Sequence, residues 1–157
     1  IKSIIKILND EQIQVISSIS FNPELAVKKG NLTKFKPSSY DLKSIKKGIN
    51  YFIKSNSLDH IQALIIKDEQ IITTESIKGT KIMFNKLKKK TGGILIKFPK
   101  KNQDLRMDLP TIGMKTLKDC KYHGLKGIVL KSKKNIFLDK KKCVSFANKN
   151  KIFIKVI

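Results

Sequence analysis

Cysteine, histidine and tryptophan are scarce or absent in this chain of 157 residues. It has two cysteines, Cys120 and Cys143, two histidines, His60 and His123, and no tryptophan. Because no CxxC pair occurs and the histidines stand alone, neither a zinc site nor a disulfide framework is predicted. We interpret His60 as a loop residue and His123 as a helix-end residue, without a catalytic role for either. A reduced, cytoplasmic setting fits this cysteine usage best.

Long apolar runs are also missing. The run IQALII at 61–66 is far shorter than the roughly 20 residues that a membrane-spanning helix needs. The opening IKSIIKILND lacks the features of a signal peptide, and we expect 1–11 to be the end of a preceding segment. With an apolar content of 40%, the chain can build one hydrophobic core. One globular domain over 1–157 is therefore expected.

The charge is strongly one-sided, with 34 basic and 12 acidic residues and a formal net charge of +22. Such a balance predicts a polyanionic partner, either nucleic acid or an anionic membrane surface. Arg106 is the sole arginine, however, and aromatic residues make up only 7%. Nucleic-acid binders usually combine arginine forks with aromatic stacking, and an AT-rich genome would also enrich lysine, isoleucine and asparagine. A basic nucleic-acid-binding module therefore stays an alternative, and no nucleic-acid partner is expected.

Apolar residues recur at strand spacing and at helix spacing in alternation along the chain. The first half is expected to contain a short N-terminal helix, a strand at 12–20, a basic loop at 28–36, a helix begun by Ser38 and Asp41, and antiparallel strands at 61–68 and 70–76 around a turn at Asp68-Glu69. A helix capped by Thr80 and ended by Gly92-Gly93, a strand at 94–98 and a long loop at 100–113 should follow. The last part is expected to contain a helix at 114–122, short strands at 127–131 and 135–138, a helix capped by Asp139, and a closing strand at 152–157. This alternation predicts an α/β fold with a mixed sheet.

The loop at 103–113, QDLRMDLPTIG, holds the most suggestive chemistry. It places Asp104, Arg106 and Asp108 within five residues, between a strand and a helix. An aspartate there can hold Mg²⁺ or orient a water, and the arginine fork can pair with a phosphate. Aspartate and arginine so close together are more often solvated or paired with each other. That alternative stays open.

The segment TESIKGT at 74–80 lies where a strand leads into a helix. Its glycine and threonine, Gly79 and Thr80, could present amides to a phosphate oxygen, and Glu75 could face the same space. Simple helix capping is the other interpretation. The spacing of a P-loop is absent, so ATP or GTP hydrolysis has no support.

The basic loop at 28–36 is a third candidate segment. Gly30 allows an unusual backbone there, and Thr33 and Lys34 could donate to an anionic ligand. A run of charge is more often only a solvated face.

Three of these segments, in this order, resemble the C-terminal domain of the UDP-2,3-diacylglucosamine pyrophosphatases of the LpxI type. They are KGNLTK at 29–34, TESIKGT at 74–80 and QDLRMDLPTIG at 103–113. The closing GLKGIVL at 124–130 and NKIFIKVI at 150–157 are also similar to that domain. The resemblance covers the chain from about residue 12 to its end.

The resemblance implies the C-terminal half of a two-domain enzyme of lipid A biosynthesis. Such an enzyme hydrolyses the diphosphate of UDP-2,3-diacylglucosamine with Mg²⁺, giving UMP and 2,3-diacylglucosamine 1-phosphate (lipid X). The DLP aspartate, here Asp108, would be catalytic and a metal ligand. The resemblance implies a substrate site lined by Thr33, Lys34, Glu75, Gly79, Thr80, Gln103, Asp104, Arg106, Thr111 and Gly113.

The resemblance also implies partners and a location. The partners are the lipid-linked nucleotide sugar, the enzyme's own N-terminal domain and the anionic inner-membrane surface, where the protein would be peripheral on the cytoplasmic side. A homodimer is an open alternative, and the isolated chain is expected to have little or no turnover. The chain departs from the family's acidic residues around the GT element, since Lys78 and Lys81 flank Gly79 and Thr80. A catalytically inactive interaction domain is therefore a further alternative.

Overall fold

The computed structural model describes residues 2–54, 61–100 and 103–157. His60 and the residues expected to form the break at 56–59 lie outside the described residues. The helices are α1 Lys2–Asp10, α2 Ser18–Phe21, α3 Ser39–Lys54, α4 Gly79–Asn85, α5 Met114–Tyr122 and α6 Lys140–Lys149, with a short 3-10 helix at Pro23–Leu25. The strands are β1 Gly30–Asn31, β2 Ala63–Lys67, β3 Gln70–Thr74, β4 Ile94–Lys97, β5 Thr111–Ile112, β6 Gly127–Leu130, β7 Ile136–Phe137 and β8 Phe153–Val156.

Six strands form one sheet in the order β1-β8-β6-β4-β2-β3. The central strands β4, β6 and β8 are parallel, whereas β2, β3 and β1 each pair antiparallel with their neighbours. The short strands β5 and β7 form a separate parallel pair. The predicted α/β fold with a mixed sheet is confirmed.

Helices cover both faces of the sheet because its central strands are apolar on both sides. Ile65, Leu95 and Ile128 belong to the core on the face that also contains α4, α5 and α6 residues, among them Leu117. Alternate strand residues such as Ile96 belong to a second core cluster, which contains α3 residues. Within the described ranges, no helix is long and apolar enough to cross a bilayer.

The prediction of a strand at 12–20 is wrong. No described residue pairs with this stretch as a strand, and α2 begins after Ser17, whose side chain accepts a hydrogen bond from the Ile19 amide. Ile13 and Ile16 are 54% and 53% exposed. The imperfect apolar alternation therefore does not correspond to a half-buried strand face, and a local serine cap determines the structure instead.

Two helix boundaries and one capping interaction differ from expectation. The N-cap of α4 is Lys78 rather than Thr80, and α4 ends at Asn85, well before Gly92-Gly93. Asp139 is at the N-cap position of α6, but its backbone is left-handed and its side chain makes no capping hydrogen bond. Residues with short polar side chains tolerate that conformation, so the aspartate serves the turn and not the helix amides.

Two expected loops contain short strands. The basic loop at 28–36 includes β1, which pairs with β8, and the loop at 100–113 ends in β5, which pairs with β7. Two-residue strands leave no periodic signal in a sequence, so their pairing depends on distant partners.

Candidate functional site

Two charged residues lie at the same edge of the sheet, Lys97 at the end of the parallel strand β4 and Glu75 just after the antiparallel strand β3. In the sheet register Ala63 is opposite Lys97, and Lys97 is opposite Leu130. Glu75, which follows β3, donates its amide to the Ala63 carbonyl oxygen at 2.8 Å. Glu75, Ala63 and Lys97 thus form one row across three strands, with their side chains on the same face as α4 and α5. This edge is where sites commonly form in α/β sheets.

The hydroxyl of Thr80 connects the two charged side chains. Lys97 Nζ donates to Thr80 Oγ1 at 3.1 Å, and Thr80 Oγ1 donates to Glu75 Oε1 at 2.5 Å. Glu75 Oε2 accepts from the amide of Gln62 at 3.2 Å. The predicted helix-cap role of Thr80 is therefore wrong, because its hydroxyl lies between a cation and an anion. We call Glu75, Thr80 and Lys97 the edge cluster.

The edge cluster is shielded from water. Glu75 is 6% exposed and Lys97 is 8% exposed. Burial lowers the pKa of Lys97, and the nearby Glu75 carboxylate opposes that effect. A buried ammonium needs compensation by acceptors or anions.

Asn135 connects the long loop at 100–113 to this edge of the sheet through hydrogen bonds. The residue is fully buried, and its Nδ2 donates to the carbonyl oxygens of Lys97 at 3.1 Å and Pro110 at 3.2 Å. Its Oδ1 accepts from the Lys131 amide at 2.8 Å. The amide of Ile136 also donates to Pro110 O, at 3.1 Å. The end of the QDLRMDLPTIG loop is therefore held against the carboxyl ends of β4 and β6.

Within that loop, Asp104 and Arg106 pair with each other. Arg106 Nε donates to Asp104 Oδ1 at 3.0 Å, and Arg106 Nη2 donates to Asp104 Oδ2 at 2.7 Å. The hydrogen bond to Asp104 raises the pKa of Arg106. Of the two interpretations left open by the sequence, mutual pairing describes this arrangement.

Asp108 differs from Asp104. It is half-buried, and its amide donates to the Asp104 carbonyl oxygen at 3.1 Å. Over the described ranges, no side-chain hydrogen bond or ion pair involves its carboxylate. Asp108 thus offers both oxygens to a ligand, two residues before the fastened Pro110.

Three further predicted site residues, Gln103, Thr111 and Gly113, lie in this loop, and a fourth, Gly79, lies at the start of α4. Gln103 Oε1 accepts from the Lys100 amide at 2.8 Å, while its Nε2 is buried and has no hydrogen-bond partner among the described residues. Thr111 donates its hydroxyl to Leu109 O at 3.0 Å, and Gly113 is the N-cap of α5. Gly79 begins α4 with a φ of 84°, a conformation that favours glycine.

Thr33 and Lys34 lie elsewhere. Thr33 Oγ1 donates to Phe35 O at 2.9 Å and accepts from the Ile154 amide at 2.9 Å, beside β8. The Lys34 amide donates to Asn148 Oδ1 at 2.8 Å, and Lys34 contributes to a surface cavity of about 620 Å³ next to α6. Since β8 and β3 are far apart in the strand order, the structure does not bring Thr33 and Glu75 together.

Sequence reasoning missed Lys97 and Asn135. Lys97 is the one charged residue in the otherwise apolar strand ILIKF, which was a usable signal. Asn135 had no such signal, because the two carbonyl oxygens to which it donates lie 25 and 38 residues away along the chain.

Mg²⁺ requires few protein ligands, and the residues present fit that requirement. No group of three or more His, Cys, Asp or Glu side chains able to hold a metal occurs among residues 2–54, 61–100 and 103–157. Mg²⁺ is commonly bound by one or two carboxylates, with substrate phosphates and waters completing its octahedron. The uncommitted carboxylate of Asp108 meets that need, whereas both Glu75 oxygens already accept hydrogen bonds.

Comparison with known proteins identifies the family. The model of the LpxI C-terminal domain matches residues 28–155. The UDP-2,3-diacylglucosamine pyrophosphatase LpxI of Caulobacter vibrioides is 26% identical over 141 residues, which cover 83% of this chain and 50% of that relative. The chain therefore spans about half the length of the relative. On the extent of the family match, the chain belongs to the LpxI family and corresponds to its C-terminal domain.

Proposed function

We propose that this chain supplies catalytic groups for the Mg²⁺-dependent hydrolysis of UDP-2,3-diacylglucosamine to UMP and 2,3-diacylglucosamine 1-phosphate in lipid A biosynthesis. The observation that carries the proposal is the position of the QDLRMDLPTIG loop. Asn135 holds that loop at the carboxyl edge of the sheet, where the edge cluster also lies. The relative named for this activity supports the choice of substrate.

Hydrolysis of a diphosphate requires charge neutralisation and an oriented water more than a protein nucleophile. Water adds across one phosphoanhydride bond, so that one phosphate gains a hydroxyl and the other leaves as the second product. Bound Mg²⁺ would neutralise charge on the diphosphate oxygens. Asp108 would hold the metal and accept a hydrogen bond from the attacking water. The Asp104–Arg106 pair stiffens the loop between Gln103 and Asp108.

The remaining parts of the proposal concern the surroundings of the enzyme. We propose that an N-terminal domain supplies the nucleotide contacts, because the chain spans half of its relative. The lysine-rich surface would favour the anionic inner leaflet, where each basic residue near the surface contributes about 1 kcal/mol. The protein would thus act as a cytoplasmic enzyme peripheral to the inner membrane.

The test is UMP release from UDP-2,3-diacylglucosamine with Mg²⁺ by a protein that joins this chain to an N-terminal domain. Asp108→Ala should abolish release, while Asp68→Asn, which removes a charge in the exposed β2–β3 turn and tolerates its left-handed backbone, should leave it unchanged. The chain of 157 residues alone should show little or no turnover. If the two-domain protein releases no UMP, an inactive interaction domain is the better account.

A further inference from the structure

We propose that Lys97 binds a phosphate oxygen of the substrate, with Thr80 and Glu75 as the residues that position its ammonium group. This inference rests on the proposed function only for the identity of the substrate. The ammonium group of Lys97 is suited to an anionic phosphate group, which a sugar phosphate carries. Neither the motifs of the sequence nor the family match assigns a role to Lys97.

The hydrogen-bond balance of the edge cluster is the first argument. A lysine ammonium carries three donors. One of them is used by Thr80 Oγ1, at 3.1 Å. Among the described residues, no other acceptor receives a hydrogen bond from Lys97, and no ion pair joins it to Glu75. Two donors therefore remain for a ligand.

The positioning of the ammonium is the second argument. Thr80 Oγ1 can accept a hydrogen bond from Lys97 only if its own proton points elsewhere, and that proton points to Glu75 Oε1, which accepts a hydrogen bond from Thr80 Oγ1 at 2.5 Å. The other Glu75 oxygen is fixed by the Gln62 amide at 3.2 Å. Each group in the series thus orients the next one. Such an arrangement prepares a cation for a ligand before the ligand arrives.

The two unused donors of Lys97 indicate an anionic ligand. An ammonium group is suited to phosphate oxygens and unsuited to a metal ion. Because Lys97 is only 8% exposed, its attraction for a phosphate is less screened than that of a surface lysine.

The competing explanation is purely structural, in which Lys97 only balances the buried charge of Glu75. The two explanations differ in one measurable respect. A structural lysine contributes to the free energy of unfolding but not to phosphate binding. A phosphate-binding lysine contributes to affinity even after the charge of Glu75 has been removed.

The experiment measures binding of glucosamine 1-phosphate to the 157-residue chain by titration calorimetry, with glucosamine as the ligand that lacks the phosphate. Lys97→Met keeps the length and the apolar character of the stem. The control is Lys67→Met, an exposed lysine at the opposite end of the sheet. Glu75→Gln/Lys97→Met removes both buried charges together, so, compared with Glu75→Gln, it keeps the test open if urea titration shows that the single Lys97 variant is not folded.

Lys97→Met, or the double variant, should lose about 10- to 100-fold in affinity for glucosamine 1-phosphate, as expected for a charge-assisted hydrogen bond. Lys67→Met should bind as the parent does, and glucosamine should bind none of them. Affinity within about threefold of the parent in a folded Lys97 variant would overturn the inference, as would an absence of phosphate-dependent binding to the parent. If either result accompanies Asp108-dependent UMP release, the proposed function stands and only the role of Lys97 fails.

Discussion

Replacing Asn135 by alanine tests how the candidate site is held together. The side chain is fully buried and makes three hydrogen bonds, to Lys97 O, Pro110 O and Lys131 N. Its loss would separate the loop carrying Asp108 from the ends of two strands. We expect both a loss of stability and a loss of activity.

The magnitude follows from the partners. The Lys131 amide would lose its side-chain acceptor, which costs about 1–3 kcal/mol for a buried group, and each lost bond to a carbonyl costs about 0.5–1.5 kcal/mol. Pro110 O keeps the Ile136 amide, so its loss is at the lower end. The expected decrease in the free energy of unfolding is about 3 kcal/mol. At a urea slope of about 2 kcal/mol/M, the midpoint falls by about 1.5 M.

Asn135→Asp separates hydrogen bonding from packing. The carboxylate has nearly the same shape and still accepts from Lys131 N, but it cannot donate to Lys97 O or Pro110 O. It should therefore be at least as destabilising as Asn135→Ala. Asn50→Ala, at an exposed position on α3, is the control and should stay within about 0.5 kcal/mol of the parent.

Urea unfolding and UMP release by the two-domain protein are the two assays. In a still-folded Asn135→Ala variant, kcat should fall by about 100-fold, since a displacement near 1 Å at a catalytic group has that cost. A higher stability of Asn135→Asp than of Asn135→Ala, or a urea midpoint of Asn135→Ala equal to that of the parent, would contradict the role given to these hydrogen bonds. Normal activity in a destabilised variant would show that the fastening of the loop has no catalytic role.

Two further predictions concern the fold. Burial opposes ionisation of Asp41, but hydrogen bonds from Lys126 and from the backbone and side chain of Ser38 outweigh it and lower its pKa below the ordinary 3.8. Asp41→Ala should thus cost about 1–2 kcal/mol at pH 7, and this difference should vanish as the pH falls through the lowered pKa, in urea titrations at neutral and acidic pH. Gly127→Ala should cost about 3 kcal/mol or more, because the added Cβ would overlap the Phe153 ring on the paired strand. Adding Phe153→Leu should recover part of that loss in thermal unfolding, and no recovery would contradict the steric explanation.

Local chemistry explains which elements the sequence predicted well. Ser38 and Asp41 form a reciprocal cap, with the Ser38 amide donating to Asp41 Oδ2 at 2.9 Å and the Asp41 amide donating to Ser38 Oγ at 3.2 Å. The predicted turn at Asp68-Glu69 has φ values of 48° and 61°, as a tight hairpin requires. Both features depend on residues within four positions of each other. The α3 helix and the β2–β3 hairpin were therefore readable from the sequence.

The candidate site depends on contacts between distant positions, which single-residue patterns do not encode. Thr80 and Lys97 are 17 residues apart, and Asn135 and Lys97 are 38 residues apart. Loop composition drew attention to Glu75, Thr80 and Asp108, but it could not tell which of them would share an edge of the sheet. Thr33 illustrates the failure, because its hydroxyl serves the β8 backbone at another part of the sheet.

The two lysines beside the GT element, Lys78 and Lys81, lie outside the edge cluster. Lys78 is the N-cap of α4 and Lys81 lies in its first turn, and both are exposed. Neither makes a hydrogen bond to the edge cluster within the described part of the chain, and Thr80 between them still reaches Glu75 and Lys97. The two lysines therefore change the charge of the surface next to the edge cluster and leave the hydrogen bonds of the edge cluster intact. If Lys78 and Lys81 reduce activity, they should do so through their surface charge, by altering how a ligand enters or how a metal binds near the edge cluster. We then expect Lys78→Glu/Lys81→Asp to alter the KM for Mg²⁺ without changing the affinity for glucosamine 1-phosphate. A change in the affinity for glucosamine 1-phosphate instead would mean that the charges at positions 78 and 81 influence the edge cluster.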